Sequence, residues 1–336
     1  MEQMMGKQSV RFQNPVKIAS HACVGGKKEG EGPLGKRLDL VVEDPMFGQD
    51  NWEESESSFL KTAGEIALRK GKRKKQEVRM AFCGDLLGQL IASSFGVEKL
   101  GIPFYGVYGA CSSIGAALSA GAMAVAGGFA NLVLCAASSH FASAEKEFRF
   151  PLGYGSQRPF SATWTVTGAG AFLLNGEKGK VAVTGITTGK IKDFGVQDPF
   201  NMGACMAPAA ADTIYQNLKD FGRKPEEYDR IITGDLGVIG QKILIKLLKE
   251  NGIDAVKNHM DCGIEIFDGP EQDTHAGGSG CACSALVLSS LILPKLESGE
   301  WKRVLFVPTG ALLSQVSANE GRTIPAIAHG VVLETV

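Results

Sequence analysis

Neither sign of charge dominates this chain. With 35 basic and 36 acidic residues among 336, its net charge of −1 excludes the broadly basic surface that a nucleic-acid partner would require. Zinc-type cysteine spacing is also missing. The eight cysteines form no CxxC pair, and the single CxC (Cys281, Cys283) has no matching His/Cys pair at ligand spacing. No DxDxDG loop occurs, which excludes an EF-hand calcium cage. The first fifteen residues, MEQMMGKQSVRFQNP, carry charges and no apolar core, so a secretory signal is not expected there. A convincing membrane span is lacking too. Residues 115–137 run 23 positions without a charge, but Gly127, Gly128 and Asn131 interrupt them. That stretch predicts a small-residue helix, a glycine turn and a buried parallel strand.

What the chain does have is glycine, 43 residues of it, within a 44% hydrophobic composition. The length exceeds one average domain, so either two similar halves or one large α/β unit is expected. Cys83, Cys111, Cys135, Cys205, Cys281 and Cys283 lie in apolar or glycine-rich contexts, which predicts buried free thiols in a reducing compartment. The densest basic run, RKGKRKKQEVR at 69–79, reads as a solvated turn; the other reading is an anion or lipid-headgroup site.

The chain also repeats itself. CGDLLGQ (83–89) and TGDLGVIG (233–240) each follow an apolar strand-like string. GACSSIGAALSAGAMA (109–124) matches CACSALVLSSLILPKL (281–296), and NLVLCAASS (131–139) matches RVLFVPTGA (303–311) at the same offset. GAGAFLLN (168–175) resembles IAHGVVLE (327–334). A helix and its following strand therefore keep their spacing in both copies. Two α/β halves, 1–178 and 179–336, fused into a five-layer αβαβα core, are the expected architecture. Glycine and alanine dominate the central helices because these must pass close together between two sheets.

A duplicated unit of this kind, with a cysteine opening the buried helix of its first half, resembles the thiolase fold of condensing enzymes. The strings GPLG (32–35), YGACSS (108–113), SSHFASAEKEFRFP (138–151), DPFNMGACMAPAAADT (198–213), AGGSGCACSA (276–285) and TGALLS (309–314) resemble the stage V sporulation protein AD family of spore-forming Firmicutes. That resemblance implies a protein of the SpoVA channel apparatus that binds dipicolinic acid, or its calcium chelate, and serves its uptake into the developing spore and its release on germination. It further implies other SpoVA channel proteins as partners, a homodimer, and peripheral placement at the spore inner membrane through those partners. No cofactor is implied, and calcium would arrive with the ligand as its counter-ion.

Thiolases and ketoacyl synthases use such a cysteine as thiolate, lowered in pKa by helix-end amides, together with a His, an Asn or a second Cys from the second half. Here TGDLGVIG offers no His, the last glycine turn PAIAHGVV (325–332) has no Cys and a single Gly, and QDTHAGGSGCACSA offers only His275. The expected outcome is a kept pocket with lost chemistry. An active acyltransferase using Cys111 with His140 or His275 as base is the second reading, and a structural channel subunit the third.

The pocket candidates each have two readings. Cys111 is a site thiol or a small core residue. His140 follows a strand end, where α/β folds build sites, or it is a capping histidine. Arg149, between Phe148 and Phe150, is a carboxylate fork or an internal ion-pair partner. Asp198 holds Arg149 or calcium, or starts a turn before Pro199. His275 and the glycine amides around Gly278 would face the ligand from the second half. Phe148, Phe150 or Trp164 would line a slot for the pyridine ring.

Overall fold

The computed structural model describes residues 3–148 and 158–336. Among the described residues the main sheet has twelve strands; two short ones, Met4–Met5 and Leu40–Val42, flank the first of the ten that form its ordered path: β1 (Ser9–Gly26), β2 (Met80–Gly84), β3 (Phe104–Gly106), β4 (Leu132–Ser139), β5 (Gly168–Asn175), β6 (Val181–Thr187), β7 (Arg230–Thr233), β8 (His259–Asp261), β9 (Arg303–Val307) and β10 (Gly330–Thr335). Their spatial order is β8-β7-β9-β10-β6-β1-β5-β4-β2-β3. Read outward from the β1/β6 junction, both wings run first, fifth, fourth, second, third. In each wing the outer three strands are parallel and the fifth strand is antiparallel to its neighbours. The repeated strings lie at matching places in the two wings: both GDL triplets at the exits of β2 and β7, and the paired apolar strings on β4 and β9.

Seven helices complete the layers: α1 (Trp52–Lys70), α2 (Ile91–Leu100), α3 (Ser113–Ala126), α4 (Phe141–Phe148), α5 (Met202–Phe221), α6 (Gly237–Glu250) and α7 (Cys281–Val287), which continues through a π-turn at Leu288–Ile292. The start of α1 is set locally. Asn51 accepts from the Glu54 amide at 2.8 Å, with Glu53 and Glu54 in the first turn and Arg69 and Lys70 in the last. Glycine 222, in the left-handed region at φ 62°, ends α5.

Successive residues of one strand enter different cores. Along β4, Leu132, Leu134 and Ala136 pack with α1 and α2, while Val133, Cys135 and Ala137 pack with α3 and α7. On β9, Val304 and Phe306 face the same central core, and Leu305 and Val307 face α5 and α6. All eight positions of β4 are buried, which is why its sequence shows no polar alternation. Helix, sheet, helix pair, sheet and helix therefore stack as five layers. The predicted helix–turn–strand at 115–137 is present as α3, a turn with Gly128 at φ 77°, and β4. No helix among the described residues is long and apolar enough to cross a membrane.

The central layer is tight. A Cβ on Gly121 of α3 would come within 2.4 Å of Cys135 Sγ. The short strand Thr309–Ala311 presses against the turn before α3, where a Cβ on Gly310 would stand 2.0 Å from the Gly109 carbonyl and 3.0 Å from the Ser112 amide. Neither neighbour is the movable end of a side chain. Gly310→Ala is expected to cost at least about 2 kcal/mol in denaturant unfolding, and an unchanged midpoint would show that the two halves do not meet here as described.

Candidate functional site

Where that contact is made, the C-terminal ends of the first-half strands open on a cavity of about 530 Å³ counted with its mouth. Both halves line it. Leu86, Cys111, Ala144, Glu145, Phe148 and Thr165 come from the first, and Pro199, Met202, Met206, Ser279, Ala311 and Leu313 from the second. Most of this wall is apolar, as expected of a small-molecule pocket with a few oriented polar groups.

Cys111 stands one residue before Ser112, the cap of α3, and follows Ala110, held in the left-handed region at φ 49°. Its thiol is buried and lies 4.0 Å from Ser279 Oγ. A helix-end thiol with nothing opposing it would be lowered in pKa. Here burial first, and then the negative charge of Asp235, raise Cys111 well above the ordinary thiol value.

Asp235 is the residue that TGDLG delivers from the second half. Its Oδ1 accepts from Thr309 Oγ1 at 2.8 Å, and its Oδ2 accepts from the Gly280 amide at 3.0 Å. Complete burial raises its pKa to about 6, against those hydrogen bonds, so at neutral pH it is mainly a carboxylate. The loop around it is held by Asp261, which accepts from Thr233 Oγ1 and from the amides of Leu236, Gly237 and Gly263. Asp85, its counterpart in the first half, accepts from the amides of Leu87 and Ser93 at 2.8 and 2.7 Å. Beside Asp85 lies Glu56, bonded by Ser138 and Ser143; burial and then the Asp85 charge push it well above the carboxylate range.

All eight cysteines are free and buried. Cys281 Sγ donates to the Ala110 carbonyl at 3.0 Å, just beneath Cys111.

The six residues singled out from sequence do not share one cavity. Cys111 is in it. Asp198 is exposed, with Oδ1 accepting from the Phe200 amide at 2.9 Å; this is the turn reading, and the neighbouring Pro199 is what reaches the cavity. Gly278 pairs in parallel with Trp164, and a Cβ there would meet Ile266 at 2.4 Å, so its role is close approach while Ser279 faces inward. The glycine amides are occupied: Gly277 donates to the Thr274 carbonyl and Gly280 to Asp235. Arg149 lies outside the described residues, immediately after Phe148.

His140 belongs to a second cavity, of about 400 Å³, with Trp52, Phe141 and Trp164. Its Nε2 meets the Pro45 carbonyl at 2.9 Å, and burial lowers its pKa, so it is neutral. Trp164 is stacked on Phe141 at 4.0 Å and covered by Lys28 and Arg158. His275 is turned toward Asp273, at 3.0 Å, and the Pro159 carbonyl, at 2.9 Å. Neither histidine lines the Cys111 cavity, so the base expected for an acyltransferase is not brought to the thiol by either.

The layer order and this inter-half cavity define a thiolase-like protein. Solved structures share the fold at low identity. The structure superposes on OleA of Xanthomonas campestris with a TM-score of 0.60, at 15% identity over 96% of this chain and 99% of that one. It superposes on AbyA1, a tetronic acid condensing enzyme, with 0.58, at 18% identity over 94% and 99%. For 3-oxoacyl-[acyl-carrier-protein] synthase III of Aquifex aeolicus VF5 the values are 0.56, 14%, 95% and 99%.

Sequence then narrows the class. The chain belongs to the stage V sporulation protein AD family, whose profile matches residues 6–334. It is 43% identical over 331 residues to stage V sporulation protein AD of Bacillus subtilis (strain 168), covering 98% of both chains. That kinship gives it a role in sporulation.

Proposed function

We propose that this protein is a non-catalytic holder of dipicolinic acid, taken as its calcium chelate into the Cys111 cavity, serving uptake into the developing spore and release on germination. The observation that carries the reading is the environment of the thiol. A family that condenses acyl groups needs a thiolate and a proton carrier; this cavity supplies a thiol kept protonated by burial first and by the Asp235 charge second. The enclosed part of the cavity is about 50 Å³, so a ring-sized ligand would occupy its mouth as well.

Charge selects the form of the ligand. The thiol side of the cavity has the Asp235 carboxylate behind it, and the lining contains no Lys or Arg among the described residues. A free pyridine dicarboxylate dianion meets repulsion there, whereas its one-to-one calcium chelate is neutral. Arg149, next along the chain from Phe148, is the cation that would grip one carboxylate. The acyltransferase reading rests on the fold shared with condensing enzymes, and the Cys111 environment weighs against it. Other SpoVA channel proteins as partners, attachment to the spore inner membrane through them, and a homodimer at the sheet edge β3, where Tyr105 is 60% exposed, complete the proposal.

Calorimetry tests it directly. Dipicolinate with Ca²⁺ should bind the wild-type protein at least about tenfold more tightly than dipicolinate alone, and Arg149→Ala should weaken both. No heat with or without Ca²⁺ removes the reading.

A further inference from the structure

We infer that the face at the opposite ends of β2, β3 and β4 from the Cys111 cavity is a docking surface for an anionic lipid bilayer. This inference is independent of what the cavity holds. β2 pairs in parallel with both β3 and β4, so the turns that enter these three strands lie together on one rim. The first turn carries the basic run: positions 69–79 hold seven cationic side chains against one glutamate. Two of the seven are neutralised, Lys70 by Asp39 and Arg73 by Glu77. Lys72, Lys74, Lys75 and Arg79 are exposed and have no ion-pair partner among the described residues. Nearby, Glu98 and Lys99 are both exposed and offset each other.

The other two turns shape a groove beside these cations. It is about 690 Å³ and is walled by Lys75, Glu77, Arg79, Pro103, Gly128 and Phe129, with Glu77 paired to Arg73. The Arg79 amide bonds the Leu132 carbonyl and the Ala81 amide bonds the Pro103 carbonyl, so the rim is fixed by the sheet. Phe129 projects from the Gly127-Gly128 turn with 74% of its surface exposed. A large apolar ring placed at the edge of unpaired lysines suits a headgroup boundary: the ring enters the interface while the ammonium groups meet phosphates at no fixed spacing. A nucleic-acid strand would instead call for successive aromatic platforms along a basic track, and Phe129 stands alone in this groove. The chain's net charge of −1 makes the cationic rim a local feature, one that orients the molecule on a surface.

Vesicle co-sedimentation of the full chain tests this. Binding is expected to vesicles containing phosphatidylglycerol and not to pure phosphatidylcholine, and to fall at least about tenfold between 0.1 and 0.5 M salt. Lys72→Glu, Lys74→Glu and Lys75→Glu together should abolish it, and Phe129→Ser should weaken it several-fold with the salt dependence kept. Should the triple variant fold poorly, the salt series and Phe129→Ser on otherwise intact protein decide the matter. Equal binding to neutral vesicles, no binding at low salt, or indifference to the substitutions overturns the inference. Tighter binding to duplex DNA than to the anionic vesicles overturns it in favour of a nucleic-acid face.

Discussion

Incubated with an acyl-coenzyme A at pH 7, the protein is expected to gain no acyl mass on Cys111. The same thiol is expected to react with iodoacetamide at least about a hundredfold more slowly than a free cysteine. Each unit by which a thiol pKa rises removes a factor of about ten in thiolate, and Cys111 is raised by burial and by the Asp235 charge together. The rate should still be climbing past pH 9, since the folded thiol titrates above that value. Asp235→Asn separates the two causes. It removes the charge, keeps one acceptor for Thr309 or Gly280, and leaves the thiol equally buried, so alkylation of the Cys111 peptide should speed up about tenfold. Stability should fall by about 1–3 kcal/mol, because the amide cannot accept from both donors as the carboxylate does. Mass spectrometry of that peptide reads acylation and alkylation, and denaturant unfolding reads the stability. Equal rates in wild type and Asp235→Asn, or an acyl adduct that forms and turns over, would return the protein to the enzymes whose fold it shares.

Filling the cavity should have the second large effect. Ala144→Phe on α4 places a ring in the space bounded by Phe148, Met202 and Leu313. Dipicolinate binding, with or without Ca²⁺, is expected to weaken at least about a hundredfold by calorimetry. The variant is expected to fold at a cost of about 1–3 kcal/mol, since Ala144 is buried at the edge of the core, and a cooperative thermal transition would show that it does. Retained affinity in a folded variant would place the ligand elsewhere, with the His140 cavity as the next candidate.

Much of the architecture could be read from the chain because its two copies preserve both spacing and residue size. The shared offset of helix and strand marks α3 with β4 and α7 with β9, and the Gly127-Gly128 interruption separates α3 from β4. The site was less legible, for two geometric reasons. Consecutive residues of a strand point to opposite sides, so Thr165 enters the Cys111 cavity while Trp164 enters the His140 cavity. On α4, Ala144, Glu145 and Phe148 face one cavity, whereas Phe141 and Ala142 at its start face the other. Proximity along SSHFASAEKEF thus suggested one pocket where the fold makes two. In sequence, Asp235 stands in a turn that lacks the family histidine and so reads as an ordinary loop residue. The signal was nonetheless present, since the GDL triplet recurs at 84–86 and 234–236, and a carboxylate repeated after a buried strand marks an inward loop.

The join between β1 and β6 runs from Ser9 opposite Thr187 to Lys17 opposite Ala182, so the wings are stitched by main-chain bonds as well as by the central helices. Such a seam leaves heat or denaturant no hinge to open first, and both wings must come apart in one step. Cleaving the chain in the short turn at 176–180 would leave two pieces still clasped, each completing the other's sheet.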